Sequence, residues 1–550
     1  MRQAYIGVDV GTSSTRAGVF DQAGNLLASA KHPIRTWQEA GDIVEQSSDD
    51  IWNACVSCVQ AAMADAAVAP DIVRGIGFDA TCSLVVLDRQ DQPLTVSGSG
   101  DHRRNVIVWM DHRALVEARD INATQDEVLR YVGGAISPEM EMPKLLWLKR
   151  HLRSSFDAAG HFFDLADYLT FRATGSLKRS MCTVTCKWNY LAHEQRWSAS
   201  YFERIGLAEF AAETYARIGT DIVAPGTPLG AGLSSAAAQE LGLVAGTAVG
   251  AALIDAHAGG IGAIGGRAAD GGEPDLRDRL AYIMGTSACI MATTREPSFV
   301  PGVWGPYYQG MVPGFWLNEG GQSAAGAAID HLLRSHPAFP EASSAARGEG
   351  LDVIEFLERR IMARVKHVGE AALMARDLHI LPEFLGNRSP YAEPDSRAVV
   401  AGLTLDADIG ALERLFVAGL CGLAYGLADV IDAFAANDVR SRMVVMAGGA
   451  SRSPLVRQIM ADTTGLVVAL PRTQEPVLLG SAMLGAVASG GFGSIGETMA
   501  AMSALGRISE PTGPDVAAFH RSKREIHRML RAVDRDSRAI MRDLGAERRP

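Results

Sequence analysis

The chain lacks the features that would place it outside a cell or within a membrane. Seven cysteines in 550 residues do not make a disulfide framework. The apolar stretch from Leu415 to Ala428 falls short of the roughly 18 residues that span a bilayer. Met1–Gln3 leads straight into the apolar run Tyr5–Val10, too short and too early in charge for a signal peptide. A cytoplasmic protein without a membrane partner is expected. Excess positive charge is missing too: 52 Lys and Arg against 63 Asp and Glu leave −11, which argues against nucleic acid as a partner. No GxxxxGK(S/T) or HExxH occurs, and around Ser323 the GxSxG pattern fails because residue 325 is Ala. The commonest NTPase, metalloprotease and hydrolase readings go with them.

Glycine, by contrast, is abundant. The 57 glycines exceed the average usage of about 7%, while the 23 prolines are not in excess. That combination points to tight turns and close backbone approaches rather than linkers. With 47% hydrophobic and 21% charged residues the chain is globular, and its length predicts two or three folding units at about 100–200 residues each.

Some glycine and cysteine patterns lack the context their motifs require. Gly260-Ile-Gly-Ala-Ile-Gly265 matches GxGxxG, but Asp255 and His257 precede it and a polar loop follows, so a glycine-rich helix or hinge is expected instead of a dinucleotide turn. Cys55 and Cys58 lie in the helix-like run Ile51–Met63, and Cys182 and Cys186 stand four apart. Neither pair has a second pair at zinc-site spacing. From Arg521 to Pro550 ten Lys or Arg meet five Asp or Glu, and Ile526, Met529, Leu530, Val533, Ile540, Met541 and Leu544 recur at helical spacing. An amphipathic helix docked on the body is expected. Residues His336–Glu370 read as a helical insertion.

The opening alternates strand and helix: Tyr5–Val10, Ala17–Phe20 and Leu26–Ala30 as strands, Ile51–Ala67 as helix, then Val73–Phe78 and Leu84–Leu87 as strands. Hairpins beside strand–helix–strand units imply a mixed α/β sheet. YIGVDVGTSSTR at residues 5–16 and YIMGTSAC at 282–289 both run an apolar strand into Gly-Thr-Ser. Such turns present backbone N–H groups and hydroxyls to phosphate oxygens without a lysine. Either copy alone is an ordinary turn; two copies point to an internal duplication. A third turn, Gly448-Gly449 after the strand Met443–Ala447, opens a helix and suits a nucleotide phosphate or ribose.

At these residues the sequence resembles the FGGY carbohydrate kinases of the actin-like ATPase superfamily. Seven segments occur in the family's order: DVGTSSTRAGVFD, KLLWLK, LIDAHAG around Asp255, MGTSA, NEGGQSAAG, PEFLGNRSP and GGASRSP. Within the family, GFDATCS, VWMDHRA and CTVTCKWNY resemble the ribulose-kinase branch. The resemblance implies two actin-like (ribonuclease H-like) α/β domains, 1–258 and 259–550, the boundary falling in the Gly259–Gly272 stretch and the active site in the cleft between them. It implies ATP and Mg²⁺ as cofactors and a homodimer as the family expectation.

Asp255 then matches the family's general base for the sugar's terminal hydroxyl, although an isolated Asp after an apolar run is otherwise a helix cap or turn residue. Asp9 falls where the family places a carboxylate serving Mg²⁺ directly or through water, and Arg16 approaches the transferring phosphoryl group. Gly11, Thr12, Ser13, Gly285 and Thr286 are phosphate-facing, while Gly326, Gly448 and Gly449 line the nucleotide. Ser453 replaces the Asn that relatives often carry near adenine. Thr81, Cys82, Lys187 and Glu319 face the sugar, and Trp109 and Asp111 either join that pocket or brace it. Lys144 takes a structural role because KLLWLK departs from the family pattern at Glu141. The implied reaction is phosphorylation of a pentulose, D-ribulose first, with L-ribulose, ribitol and D-xylulose as rivals. A non-catalytic ATPase or sugar sensor, and a dehydrogenase resting on the GxGxxG, are the readings from other classes.

Overall fold

A computed structural model describes residues 3–39, 42–267 and 275–546, with side chains to 542. Residues 268–272 of the expected boundary, the side chain of Leu544 and the last residues of the C-terminal segment lie outside the described residues. Two mixed sheets organise the chain. In the first, Ala4–Val10 pairs antiparallel with Ser14–Asp21, which pairs with Leu26–Pro33; on its other side Ala4–Val10 runs parallel to Val73–Ala80. In the second, Arg279–Met284 pairs antiparallel with Ala288–Thr294 and parallel with Met443–Ala447. The two Gly-Thr-Ser turns thus close the same hairpin in each sheet, as expected of a duplication.

Two helices lie between the sheets. Asp255–Ile264 follows the last short strand of the first sheet, Leu253–Ile254, yet packs on Arg279–Met284 of the second. Pro476–Ala488 follows Val467–Pro471 of the second sheet and packs on Ala4–Val10 and Val73–Ala80 of the first. Proline at its first position suits a helix start, where no partner for an N–H is lost. Each half therefore covers the other's sheet, and glycine permits the close approach. A methyl group at Gly262 would collide with the carbonyl of Pro476, and one at Gly480 with the carbonyl of Ala258. Residues 259–264 are thus helical and pack backbone to backbone against Pro476–Ala488. The GxGxxG contributes packing rather than a pyrophosphate turn.

The apolar stretch at 415–428 sits inside a helix of 28 residues, Ile409–Ala436. By length and composition that helix passes as a membrane span, but most of it is buried as the core helix of the second half. Asp408 caps it by accepting the Ala411 N–H at 2.8 Å. The 336–370 insertion is helical, with Phe339–Gly348 and Val353–Met362 over that core. The C-terminal helix is present as Pro514–Ala546, but it docks by a different face from the one its apolar spacing predicts. Met529, Val533, Ile540 and Met541 are 53–66% exposed. His520, Lys523, His527, Leu530, Arg531 and Asp534 turn inward. The body offers carbonyls and a carboxylate at this place: Lys523 Nζ donates to the Leu378 carbonyl at 2.6 Å and Arg531 Nη1 to Glu383 at 3.1 Å. Satisfying those acceptors fixed the face.

Candidate active site

The C-terminal ends of three adjacent strands of the first sheet carry acids. Asp9 stands opposite Asp79 in the parallel pair, and Asp79 is also the register partner of Leu253, two residues before Asp255. Asp79 is fully buried, accepts from the Ser481 hydroxyl and leaves its other oxygen without a partner. Burial, and next the adjacent Asp9, hold its carboxyl well above the usual range. Asp9 reaches the cleft, where Arg16 Nε donates to it at 2.9 Å. The same guanidinium bridges to Glu475 of the second half at 2.7 Å. Asp255 opens its helix and accepts the Ala256 N–H at 2.7 Å. Burial, then the neighbouring Asp9, pushes its carboxyl up to about 6.

Asp9, Arg16 and Asp255 line one cavity of about 280 Å³ between the halves. Gly11 and Thr12 enter it from one Gly-Thr-Ser turn, and Gly285 and Thr286 from the other. Each turn is closed from its glycine, the second one residue shorter: Gly11 N–H donates to the Ser14 carbonyl at 3.1 Å and Gly285 N–H to the Ser287 carbonyl at 2.8 Å. Trp109 also lines the cavity, its Nε1 donating to the Thr12 hydroxyl at 3.0 Å. Thr81, Cys82, Lys187 and Glu319 form the opposite part of the wall. Lys187 Nζ lies 3.8 Å from Glu319 and 4.3 Å from the ring centroid of Trp304. Burial alone would lower the Lys187 ammonium, but Glu319 raises it well above its ordinary value. Burial would likewise raise Glu319, yet Lys187 and His257 pull it down to about 2. The wall is an ionised donor–acceptor pair out of bulk water, suited to sugar hydroxyls and a carbonyl.

Other expected residues take different places. Asp111 is not among the cavity's lining residues: its carboxylate accepts from Val44 N–H at 2.6 Å and from Arg113 Nε at 2.8 Å. A carboxylate so occupied braces the wall that carries Trp109, the second of the two roles expected of it, and does not face the sugar. Ser13 is exposed on the outer side of its turn, and Ser287 of the second turn lines the cavity instead. Gly326 donates its N–H to Gly285 at 3.0 Å and so supports the second turn. Gly448, at φ +100°, borders an adjoining cavity of about 320 Å³, and Gly449 faces open space. Ser453 caps the helix Pro454–Thr464 by accepting the Val456 N–H at 3.0 Å, and lines neither cavity. Lys144 is buried against Glu141 at 3.2 Å, as a structural residue should be.

Sequence reasoning missed Glu139, Cys289, Trp304 and Arg388, all of which line the cavity. Arg388 pairs with Glu139 across the halves at 3.3 Å. Arg388 lies in PEFLGNRSP, a segment already singled out, whereas nothing local marks Glu139. The buried Cys182 and Cys186 are joined by His257 from another helix, a meeting no spacing foretells. Cys55 and Cys58 are buried free thiols in Ser48–Ala66.

The N-terminal domain of the FGGY family of carbohydrate kinases matches residues 4–262, and its C-terminal domain matches residues 280–489. The chain belongs to this family. It is a carbohydrate kinase, a phosphotransferase with an alcohol as acceptor, on a two-domain actin-like fold. Over 513 residues the kinase is 46% identical to the FGGY carbohydrate kinase domain-containing protein of Homo sapiens, covering 92% of each chain. It is 38% identical over 515 residues to the D-ribulokinase of Saccharomyces cerevisiae, covering 89% of this chain and 72% of the yeast protein. The structure of the xylulose kinase of Rhodospirillum rubrum superimposes with a TM-score of 0.76 at 21% identity, covering 96% of this chain and 99% of that one, which shows the shared fold.

Proposed function

We propose that this kinase transfers the γ-phosphoryl group of ATP to the terminal hydroxyl of a pentulose, D-ribulose giving D-ribulose 5-phosphate. The observation that carries the reading is one cavity holding a raised carboxyl, Asp255, a buried Lys187–Glu319 pair and two phosphate turns. Likeness to the yeast D-ribulokinase supports D-ribulose as the sugar. Residues 1–258 and 259–550 are the two halves that meet on the substrates.

In this reading the sugar lies with hydroxyls on Glu319 and a carbonyl or hydroxyl on Lys187, which turns its terminal hydroxyl toward Asp255. Asp255 accepts that hydroxyl's proton as the oxygen bonds to the γ-phosphorus and ADP leaves. Thr12 and Thr286 hold phosphate oxygens from opposite sides, and Arg16 steadies the charge on the transferring group. Asp9 presents a carboxylate to the cavity beside the phosphate turns, a donor set that fits Mg²⁺ with phosphate oxygens and water. Bound there, Mg²⁺ would neutralise phosphate charge. Gly448 and Gly449 lie toward the ribose.

Two results test this. ADP release over a panel of ketopentoses and pentitols should be fastest with D-ribulose; a preference for L-ribulose, ribitol or D-xylulose would reassign the sugar, and silence with every sugar would end the enzymatic reading. The base must be ionised to act, so kcat/KM should rise with pH through about 6 and be lost below it. A profile flat from pH 5 to 8 would remove Asp255 as the group that titrates, the range being about one unit or more either side of its value.

A further inference from the structure

Behind Glu319 lies a buried chain of groups that phosphoryl transfer does not use. Cys182, in the helix Met181–Lys187, has its sulfur 3.1 Å from His257 Nδ1, and the other ring nitrogen, Nε2, stands 3.2 Å from Glu319 Oε2. Ile254 N–H donates to the same sulfur at 3.4 Å. Cys182 and His257 are both fully buried.

Donor counting narrows the proton positions to two arrangements. Ile254 N–H can only donate, so Cys182 Sγ accepts there. Glu319 is ionised by its contact with Lys187, so His257 Nε2 must carry hydrogen to face it. If Nδ1 were bare, it would need the Cys182 proton; if protonated, it leaves a thiolate beside an imidazolium. Burial alone would raise the Cys182 thiol, but hydrogen bonds from Cys186 and His257 lower it below its ordinary value. Burial alone would lower the His257 ring, and Cys182 followed by Glu319 raises it. Asp255 faces His257, and the buried Asp164 and Asp167 face Cys182, which, after burial itself, helps to raise both carboxyls. The remaining cysteines, Cys55, Cys58, Cys82, Cys186, Cys289 and Cys421, are all raised by burial and stay thiols.

A metal is the other reading of Cys182, Cys186 and His257, whose ligand atoms lie within 4.8 Å of one another. The 3.1 Å sulfur–nitrogen distance is a hydrogen bond. Bonds of about 2.3 Å to sulfur and 2.0 Å to nitrogen, at tetrahedral angles, would hold those two atoms farther apart. The contact as it stands is that of a shared proton, and zinc would require it to lengthen.

We propose that Cys182 and His257 form a buried thiolate–imidazolium pair that positions Glu319 for the sugar. Two of the three groups come from the first half of the chain and Glu319 from a strand of the second, Trp316–Gln322. The pair therefore ties the sugar's acceptor in one half to the helix that carries Asp255 in the other. Oε2 is committed to His257 and Lys187, while Oε1 takes only the Cys289 thiol at 3.8 Å and is the oxygen open to a substrate hydroxyl. Cys182 and His257 are positioning residues, acting through Glu319. The kinetic part of the proposal rests on the pentulose-kinase reading; the charge state does not.

The test uses the full-length kinase and the variants Cys182→Ser and His257→Gln. The wild type at neutral pH should show a thiolate absorption band in the ultraviolet that both folded variants lack. Both variants should lose about tenfold or more in sugar kcat/KM, expressed in sugar KM, with ATP KM unchanged, because a misplaced acceptor costs orientation. An unchanged ultraviolet spectrum in folded Cys182→Ser would overturn the pair, as would stoichiometric zinc in the purified protein. A lost band with sugar KM unchanged in both variants would overturn the positioning role. If no pentulose is turned over by the wild type, the spectrum still decides the pair while the substrate panel alone fails.

Discussion

Asp255→Asn is expected to lose sugar phosphorylation by about 10²–10⁴-fold, the usual contribution of a positioned general base. The substitution is nearly isosteric, and the amide oxygen can still accept the Ala256 N–H that Asp255 accepts at 2.7 Å. The helix start and the two phosphate turns therefore keep their geometry. What disappears is a carboxylate whose burial and proximity to Asp9 raise it to about 6, where it can take a hydroxyl proton near neutral pH. The variant should bind ATP–Mg²⁺ as well as the wild type, read as equal thermal stabilisation by the nucleotide. Removing one negative charge beside Asp9 can only ease phosphate approach. Wild-type turnover in Asp255→Asn would dismiss the base assignment, and loss of nucleotide stabilisation would make the residue structural.

Gly480→Ala is expected to damage both stability and catalysis from a position that touches no substrate. The added methyl would meet the carbonyl of Ala258, a backbone atom of the facing helix with no rotamer to yield. The two helices must separate, at a cost of about 1–3 kcal/mol or more, with a fall in Tm of about 5–10 °C. Because Ala258 lies three residues after Asp255, the displacement also moves the carboxyl, and a misplacement of about 1 Å can cost about 10²-fold in rate. Gly348→Ala is the control: its methyl meets nothing within 4 Å, so calorimetry should find Tm unchanged or slightly raised. Equal melting of Gly480→Ala and the wild type would refute the close approach of the helices.

Part of the cleft was legible because its turns are local. Each Gly-Thr-Ser turn follows an apolar strand within a few residues, and Asp9 and Arg16 flank the first, whereas Asp255 reads locally as a helix cap and stood out only through the family resemblance. Asp111 stayed open between pocket and brace because VWMDHRA shows an acid near an aromatic but not that Arg113 and the Val44 N–H claim it. The C-terminal helix was read by its apolar spacing, but the surface it meets offers carbonyls and Glu383, so its cations turned inward. Glu139 and Arg388 meet across 249 positions, and no periodicity spans such a gap.

By itself the sequence determined the elements: few cysteines and no P-loop narrowed the chemistry, and surplus glycine marked where backbones come close. It also determined the duplication, because turn geometry depends on neighbouring residues alone. Only the tertiary structure decided which half covers which sheet, which oxygen of Glu319 stays open, and that Cys182 meets His257. Those outcomes depend on desolvation and donor counting among side chains distant in the chain, and both are set only when the two sheets close on the helices between them.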